Sequence, residues 1–185
     1  MDKGTESYRK FYENGDESGL AEIINDYKDG LILYLNGFVN NIHIAEELTE
    51  NTFVLLGTKR PRNKGTASFK TWLYTIGRNI AIDYIRKASR KKEIHLADYE
   101  SVSEEKELED AFIRNEAKIA VHQAMKNLKN EYRQVLWLSY FENLSNKEIS
   151  MVMKKSEHTI ETLCYRARNA LKKELEKEGF EYEEQ

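Results

Sequence analysis

The sequence predicts an all-α protein of two small helical domains joined by an acidic flexible linker, the second domain carrying a helix-turn-helix. Three observations carry this reading. Pro61 is the only proline among 185 residues and there are nine glycines, so few positions interrupt a helix. Apolar residues recur every three or four positions through most of the chain, the spacing of a buried helical stripe. Between Asp98 and Asp110 the run DYESVSEEKELED holds seven acids, one lysine and few large apolar side chains. Such a segment buries too little surface to offset the entropy of ordering it, which makes it a linker. The competing reading makes it the exposed start of a long helix. A hydrophobic content of 40% is enough for a core on either side.

From Tyr8 to Asn40 the stripe runs through Leu20, Ile23, Ile24, Tyr27, Leu31, Tyr34, Leu35 and Phe38, with a break expected near Gly30. A second helix over Ile44 to Leu56 places Ala45, Leu48, Thr52, Leu55 and Leu56 inside and turns Glu46, Glu47, Glu50 and Asn51 outward. Gly57 to Thr66, with Lys59, Arg60, Pro61, Arg62, Asn63, Lys64 and Gly65, reads as a basic loop because glycine and proline interrupt the pattern. Periodicity resumes at Phe69, Trp72, Leu73, Ile76, Ile80, Ile82 and Ile85 and runs into Arg86, Lys87, Arg90, Lys91 and Lys92. Cations suit the negative end of a helix dipole, but that does not account for those of the preceding loop.

Beyond the acidic run, Ile119 to Leu128 forms one expected helix and Tyr132, Val135, Leu136, Leu138 and Phe141 mark another. Ser145-Asn146-Lys147-Glu148 has the S-x-x-E form of a capping box, in which Ser145 and Glu148 satisfy each other's free backbone donors. Ile149, Val152 and Met153 fill the inner face of that short helix. Ser156 is the next cap, followed by an inner stripe of Ile160, Cys164, Ala167, Leu171 and Leu175. A short capped helix, a turn of about three residues and a longer helix have the form of a helix-turn-helix. Helix pairs are common, so the exposed face adds the weight: Glu161, Thr162, Tyr165, Arg166 and Asn169 can reach base edges or phosphates.

Charge is unevenly spread. The chain carries a formal net charge of −3, yet residues 59–92 hold eleven Lys or Arg against the single acid Asp83, with Phe69, Trp72, Tyr74 and Tyr84 among them. Residues 1–58 hold 4 basic and 11 acidic groups, and residues 93–114 hold 2 and 8. Cations hold a phosphate backbone and release its counterions, while aromatic faces stack on bases that have left the duplex. Basic and aromatic groups together point to single-stranded or melting nucleic acid, and the acidic front points to a second kind of surface.

Several function classes lose support. No Ser-His-Asp set or phosphate-cradling glycine loop occurs, so no enzyme activity and no cofactor are expected. His43, His95, His122 and His158 are scattered without ligand spacing, so no metal site is expected. The lone Cys164 allows no internal disulfide and reads as a small core residue. With no charged-then-apolar leader and no apolar run near the ~18 residues of a membrane span, the protein is expected to be soluble and cytoplasmic.

Two segments, in this order, resemble the extracytoplasmic-function (ECF) sigma factors of the sigma-70 superfamily. FKTWLYTIGRNIAIDYIRKASRKK, Phe69 to Lys92, is similar to the family's promoter-melting and minus-ten-reading segment, including its T-W-L-Y, R-N and D-x-x-R elements. RQVLWLSYFENLSNKEISMVMKKSEHTIETLCYRARNALKKEL, Arg133 to Leu175, is similar to its minus-thirty-five-reading domain, and AEELTENTF, Ala45 to Phe53, adds a third match. The resemblance implies a non-catalytic factor that binds RNA polymerase core, delivers it to promoters and helps open the duplex. It divides the chain into residues 5–97, an acidic linker over 98–114, and 115–178. It also implies an anti-sigma protein as a further partner, besides core and promoter DNA.

The resemblance assigns residues to three surfaces. Glu46, Glu47, Leu48, Glu50, Asn51 and Phe53 would dock on polymerase core. Arg60, Arg62, Asn63 and Lys64 would belong to a loop that captures a flipped minus-ten base, with Trp72, Tyr74 and Asn79 beside the melted bases and Arg78, Arg86, Lys87 and Arg90 on the backbone. Trp72 and Tyr74 are two residues apart, so they leave one helix in different directions and one of them is expected in the core. Ser156, Thr159, Glu161, Thr162, Tyr165, Arg166 and Arg168 would read the minus-thirty-five duplex. Here the chain departs from its family, which commonly shows T-V-K-S-R where this sequence has Thr159, Ile160, Glu161, Thr162 and Leu163. Glu161 either accepts from the exocyclic amino group of a cytosine or pairs with a neighbouring cation. A stand-alone helix-turn-helix regulator that binds duplex DNA without polymerase is the alternative function. It would need only the tail and would leave the aromatic and basic segment unexplained.

Overall fold

The computed structural model describes residues 2–91 and 116–177, and every regular element among them is helical. Helix α1 (Lys3–Asn14) starts at Asp2, whose side chain accepts from the Thr5 backbone N–H at 2.8 Å. It ends at Gly15 in the left-handed region, φ 69°, where Gly15 N–H donates to Phe11 O and Asp16 N–H to Lys10 O. Asp16 then caps α2 (Glu17–Val39) by accepting from Ser18 N at 3.0 Å. The break expected near Gly30 therefore falls at Gly15. Gly30 stays inside the helix and buried, because the Asn14-Gly15-Asp16 sequence supplies both a stop and a start.

Asn40, also left-handed at φ 50°, and the cap Asn41 turn the chain into α3 (Ile42–Lys59). That helix runs two residues beyond Gly57, so the basic loop begins at Arg60 rather than at Gly57. The loop occupies residues 60–68 and ends at Ser68, whose hydroxyl accepts from Thr71 N at 3.3 Å and starts α4 (Phe69–Lys91). Helices α1 to α4 pack around Ile23, Leu31, Leu35, Leu56, Phe69 and Leu73, all fully buried. Each such side chain contributes about 1.5–3 kcal/mol by leaving water. The acidic segment 98–114 and the domain limits at 97, 115 and 178 lie outside the described residues.

The second half begins with α5 (Glu116–Met125) and α6 (Asn130–Leu136). The helix expected to continue to Phe141 widens into a π-helical turn, Trp137–Phe141, in which Glu142 N–H donates to Trp137 O. Trp137 lies flat on Phe141, ring centroids 4.5 Å apart, and His122 meets both rings edge-on. The extra residue in the turn brings Glu142 into the interior. Helix α7 (Asn146–Met153) starts at the expected capping box: Ser145 Oγ accepts from Glu148 N, and Glu148 Oε2 accepts from Ser145 N. Left-handed Lys154 makes the turn, Ser156 Oγ accepts from Thr159 N, and α8 (Glu157–Lys177) follows with Ile160, Cys164, Ala167, Leu171 and Leu175 buried. Cys164 is thus the small core residue its position in the stripe predicts, with burial holding its thiol above its ordinary range.

The halves touch. Helix α4 packs on α7, and α2 packs on α6 and the π-helical turn. Within the first half, α1 and α2 approach closely at Gly19, where an added Cβ would collide with the Ser7 carbonyl oxygen. Gly37, in the same helix, has open space around it. Replacing Gly19 by Ala is expected to cost about 1–3 kcal/mol and lower the thermal midpoint by several degrees. Gly37→Ala is expected to be neutral or slightly stabilising, since it only removes backbone freedom from the unfolded chain. Paired thermal melts followed by circular dichroism check both.

Candidate nucleic-acid and partner interfaces

The outer face of α3 presents Glu47, Glu50 and Asn51, all exposed, with Glu46 half-buried and its carboxylate 3.6 Å from His43 Nδ1. Leu48 and Phe53, expected to share this surface, are buried against the helical core and do not reach it. Their place is taken by Val54, 58% exposed, one helical turn beyond Glu50 and Asn51. Val54 was legible: the inner stripe of Ala45, Leu48, Thr52 and Leu56 leaves position 54 on the outside. An exposed apolar side chain beside acids has the chemistry that suits a protein partner of opposite charge.

The loop 60–68 is held at several points. Tyr8 donates its hydroxyl to Pro61 O at 2.6 Å, and burial with Tyr12 nearby pushes that hydroxyl up to about 12. The Arg60 guanidinium lies 4.5 Å from the Phe11 ring centroid. Asn63 Oδ1 accepts from Gly65 N at 3.0 Å. Arg62 and Lys64 remain exposed, with no hydrogen bond or ion pair among the described residues.

Along α4, Trp72, Asn79, Arg86, Lys87 and Arg90 follow the helical repeat as one stripe, about 27 Å long at 1.5 Å per residue. Arg86, Lys87 and Arg90 are exposed, and Arg86 lies 3.4 Å from Asp83. Trp72 is half-buried, its ring against Tyr8 at 5.1 Å and Phe69 at 5.7 Å. Tyr74 and Arg78 leave the opposite side. Tyr74 is fully buried beside Tyr34, ring centroids 5.2 Å apart, and so cannot meet a base in this arrangement. Burial and then the Glu142 carboxylate push its hydroxyl well above its ordinary value. Arg78 is half-buried, its Nε enclosed without a hydrogen-bond partner among the described residues.

On α8, Ser156, Thr159, Glu161, Tyr165, Arg166 and Arg168 are exposed and Thr162 is half-buried, donating to His158 O. Tyr165 is 64% exposed. Glu161 sits 3.8 Å from His158 Nδ1, the neighbouring group with which it can pair. Arg168 lies to the flank with Glu161, while Thr162, Tyr165, Arg166 and Asn169 form the outermost face.

The contact between the halves is polar. Glu148, besides capping α7, accepts from Ser68 Oγ at 2.9 Å and from Thr71 Oγ1 at 3.1 Å across the seam. Lys70 Nζ reaches Glu142 Oε2 at 3.1 Å and Glu142 O at 3.2 Å, with the Glu142 side chain 5% exposed. A cavity of about 30 Å³, enough for a water, lies between Tyr34 and Asn36 of α2 and Gln134 of α6. The spacing of apolar residues does not reveal this seam, because its residues belong to segments some eighty positions apart.

Comparison with known proteins places these elements. The Sigma-70 region 2 family model matches residues 23–91, and the Sigma-70, region 4 model matches residues 118–171. The chain is 29% identical over 177 residues to the ECF RNA polymerase sigma factor SigW of Bacillus subtilis (strain 168), covering 90% of this chain and 94% of that one. It is likewise 29% identical over 162 residues to SigM of the same organism, covering 83% and 93%. Its fold is similar to CnrH in complex with the cytosolic domain of CnrY, TM-score 0.63 at 18% identity over 94% of this chain and 95% of that one. The sigma factor RpoE in complex with the anti-sigma factor NepR from Bartonella quintana also has TM-score 0.63, at 20% identity over 84% and 96%.

Partial burial works to raise the pKa of Glu148, and the hydrogen bonds from Ser145, Ser68 and Thr71 outweigh it, leaving the carboxyl below its ordinary value. A group of this kind contributes stability above its unfolded pKa and loses it as the pH falls through the folded one. At pH 7 the variant Glu148→Gln is expected to be about 1 kcal/mol less stable than the parent. That gap is expected to shrink toward zero as the pH is lowered through 4 to 3. Thermal melts across this range check it.

Proposed function

The chain belongs to the extracytoplasmic-function group of the sigma-70 family, and from that premise we propose that it binds RNA polymerase core and directs promoter recognition, DNA melting and transcription initiation, with no catalysis of its own. The observation that carries the reading is the α4 stripe: a tryptophan at one end, exposed cations at the other and a basic loop beside it. That arrangement suits a single strand with its phosphates on the cations and its bases on the aromatic end. The acidic face of α3 around Val54 supports core docking, and the outer face of α8 supports duplex reading.

Residues 5–97 form the core-binding and minus-ten unit, 98–114 the linker, and 115–178 the minus-thirty-five unit. The two promoter elements lie roughly 25 base pairs apart, about 85 Å at 3.4 Å per pair. A compact chain of this length is on the order of 40 Å across. The closed arrangement therefore cannot reach both elements at once, and the seam around Glu148, Lys70 and Glu142 separates on the way to the promoter. An anti-sigma protein, as in the RpoE–NepR complex from Bartonella quintana, is the expected competitor for the same surfaces. None of the described helices is long and apolar enough to cross a membrane, and the cytoplasm, where core polymerase and DNA are found, is the expected site of action.

Transcription from a promoter library by purified core polymerase, with and without the protein, tests the whole reading. Discrete protein-dependent start sites sharing two spaced upstream elements are expected. Sequence-specific duplex binding by the protein alone, without new starts, would identify a stand-alone regulator instead. Replacing Arg86, Lys87 and Arg90 together by Ala is expected to impair DNA opening at least tenfold while core binding stays unchanged, since none of the three lies on the α3 face. Permanganate footprinting and core pull-down measure the two effects, and loss of core binding would contradict the division of roles.

A further inference from the structure

The cavity of about 30 Å³ along the seam takes its walls from both halves of the chain. Tyr34 and Asn36 belong to α2, Lys126 follows α5, Arg133 and Gln134 belong to α6, and Trp137 opens the π-helical turn. Two cations line it, and no Asp or Glu among the described residues does. Lysine, arginine and the indole N–H only donate hydrogen bonds.

Tyr34 supplies a further donor. It is 1% exposed, its ring packs on Phe38 at 5.4 Å and on Tyr74 at 5.2 Å, and its hydroxyl has no hydrogen-bond partner among the described residues. Burial keeps that hydroxyl protonated far above its ordinary range, although the Arg78 guanidinium acts on it in the opposite direction. Arg78 is half-buried, and among the described residues it makes no ion pair and its Nε is enclosed without a hydrogen-bond partner. Lys126, Arg133 and Trp137 interact elsewhere as well, whereas Tyr34 and Arg78 are left for something the protein does not supply. A water would satisfy Tyr34 and Gln134 Oε1, which also lacks a partner among the described residues, but it leaves the excess positive charge uncompensated. A monatomic anion close to water in size compensates the charge and takes the donors, and a phosphate or sulfate is too large for the space.

We infer that the seam holds a chloride site, formed by the Tyr34 hydroxyl with the donors of Lys126, Arg133 and Trp137 in the field of Arg78. Because the walls belong to both halves, the bound anion stabilises the closed arrangement alone. Chloride therefore opposes the separation that promoter binding requires. Its binding is independent of the sigma-factor reading, and only the consequence for transcription rests on that reading.

The test uses the full chain without polymerase, in sodium chloride, sodium gluconate or sodium sulfate at equal ionic strength. Chloride is expected to raise the thermal midpoint of the parent by about 2–4 °C over gluconate, the shift given by a ligand at about five times its Kd. The chlorine NMR line is expected to broaden in proportion to the protein. Tyr34→Phe is expected to abolish both effects while folding as well as the parent or better, since it removes a buried hydroxyl that has no protein partner. Lys126→Gln, at an exposed position, is expected to weaken chloride binding about threefold, as suits one solvent-screened charge. Replacing Lys70 and Glu148 together by Ala loosens the seam with no change of net charge and leaves the cavity walls intact. That pair is expected to weaken chloride binding about tenfold, with the helical content checked by circular dichroism. A site that holds only water gives the parent equal midpoints in chloride and gluconate and no added line width, and this result would overturn the inference. An equal rise in sulfate would overturn it too, since that is screening by salt, as would a chloride response retained in Tyr34→Phe. Parent affinity in the Lys70 and Glu148 double variant would overturn the link to the closed arrangement.

Discussion

One carboxylate joins the starts of two helices that belong to different halves of the chain. Glu148 closes its own capping box with Ser145 and at the same time accepts from Ser68 and Thr71, the cap and first turn of α4. Helix starts leave backbone donors free, and short polar side chains are placed there to satisfy them. By serving both, Glu148 joins the start of α4, with its basic stripe, to the first helix of the helix-turn-helix. The Lys70–Glu142 pair, whose lysine adjoins Thr71, adds a second contact across the same seam with a nearly buried carboxylate.

This seam differs in kind from the two cores it separates. Within each half the buried residues are mainly aliphatic and aromatic, with Ser7, Thr49, Thr52 and His122 as polar exceptions. Across the seam the enclosed groups include Tyr34, Tyr74, Gln134, Glu142 and the Nε of half-buried Arg78, and the Tyr34 hydroxyl, Arg78 Nε and Gln134 Oε1 have no hydrogen-bond partner among the described residues. Buried polar atoms left in this way cost about 1–3 kcal/mol each, which offsets much of what the contact contributes. A polar contact of modest net stability suits two bodies that associate and part without either unfolding. The π-helical turn belongs to the same arrangement, since its extra residue is what brings Glu142 to Lys70.

The three proposed interfaces are chemically distinct and built on rigid helices. An acidic face with an apolar centre, a basic stripe ending in aromatic rings, and a polar recognition helix select three kinds of partner by charge and shape. Their separation on different elements lets contacts with one form without disturbing the others. The uneven distribution of charge along a chain whose net charge is only −3 is the one-dimensional image of this division.

Helical class, the two caps at Ser145 and Ser156, the inner stripe of α8 and the basic character of the 59–92 block were all legible in the residues, because they depend on neighbours within a few positions. So was the rule that Trp72 and Tyr74 cannot share a face. Which of the two is buried was not, since Tyr74 is enclosed by Tyr34 of α2 and by Glu142 from the other half. Leu48 and Phe53, which the resemblance groups with the docking segment, are buried, because a motif match assigns a segment to a surface without saying which side of its helix is wet. The break expected near Gly30 falls at Gly15, because the apolar stripe alone does not weigh the stop and start that Asn14-Gly15-Asp16 supplies. Local spacing and capping chemistry determine where helices run and what they carry. The seam, the cavity along it and the burial of individual side chains arise from contacts between residues far apart in sequence, and those only the tertiary structure decides.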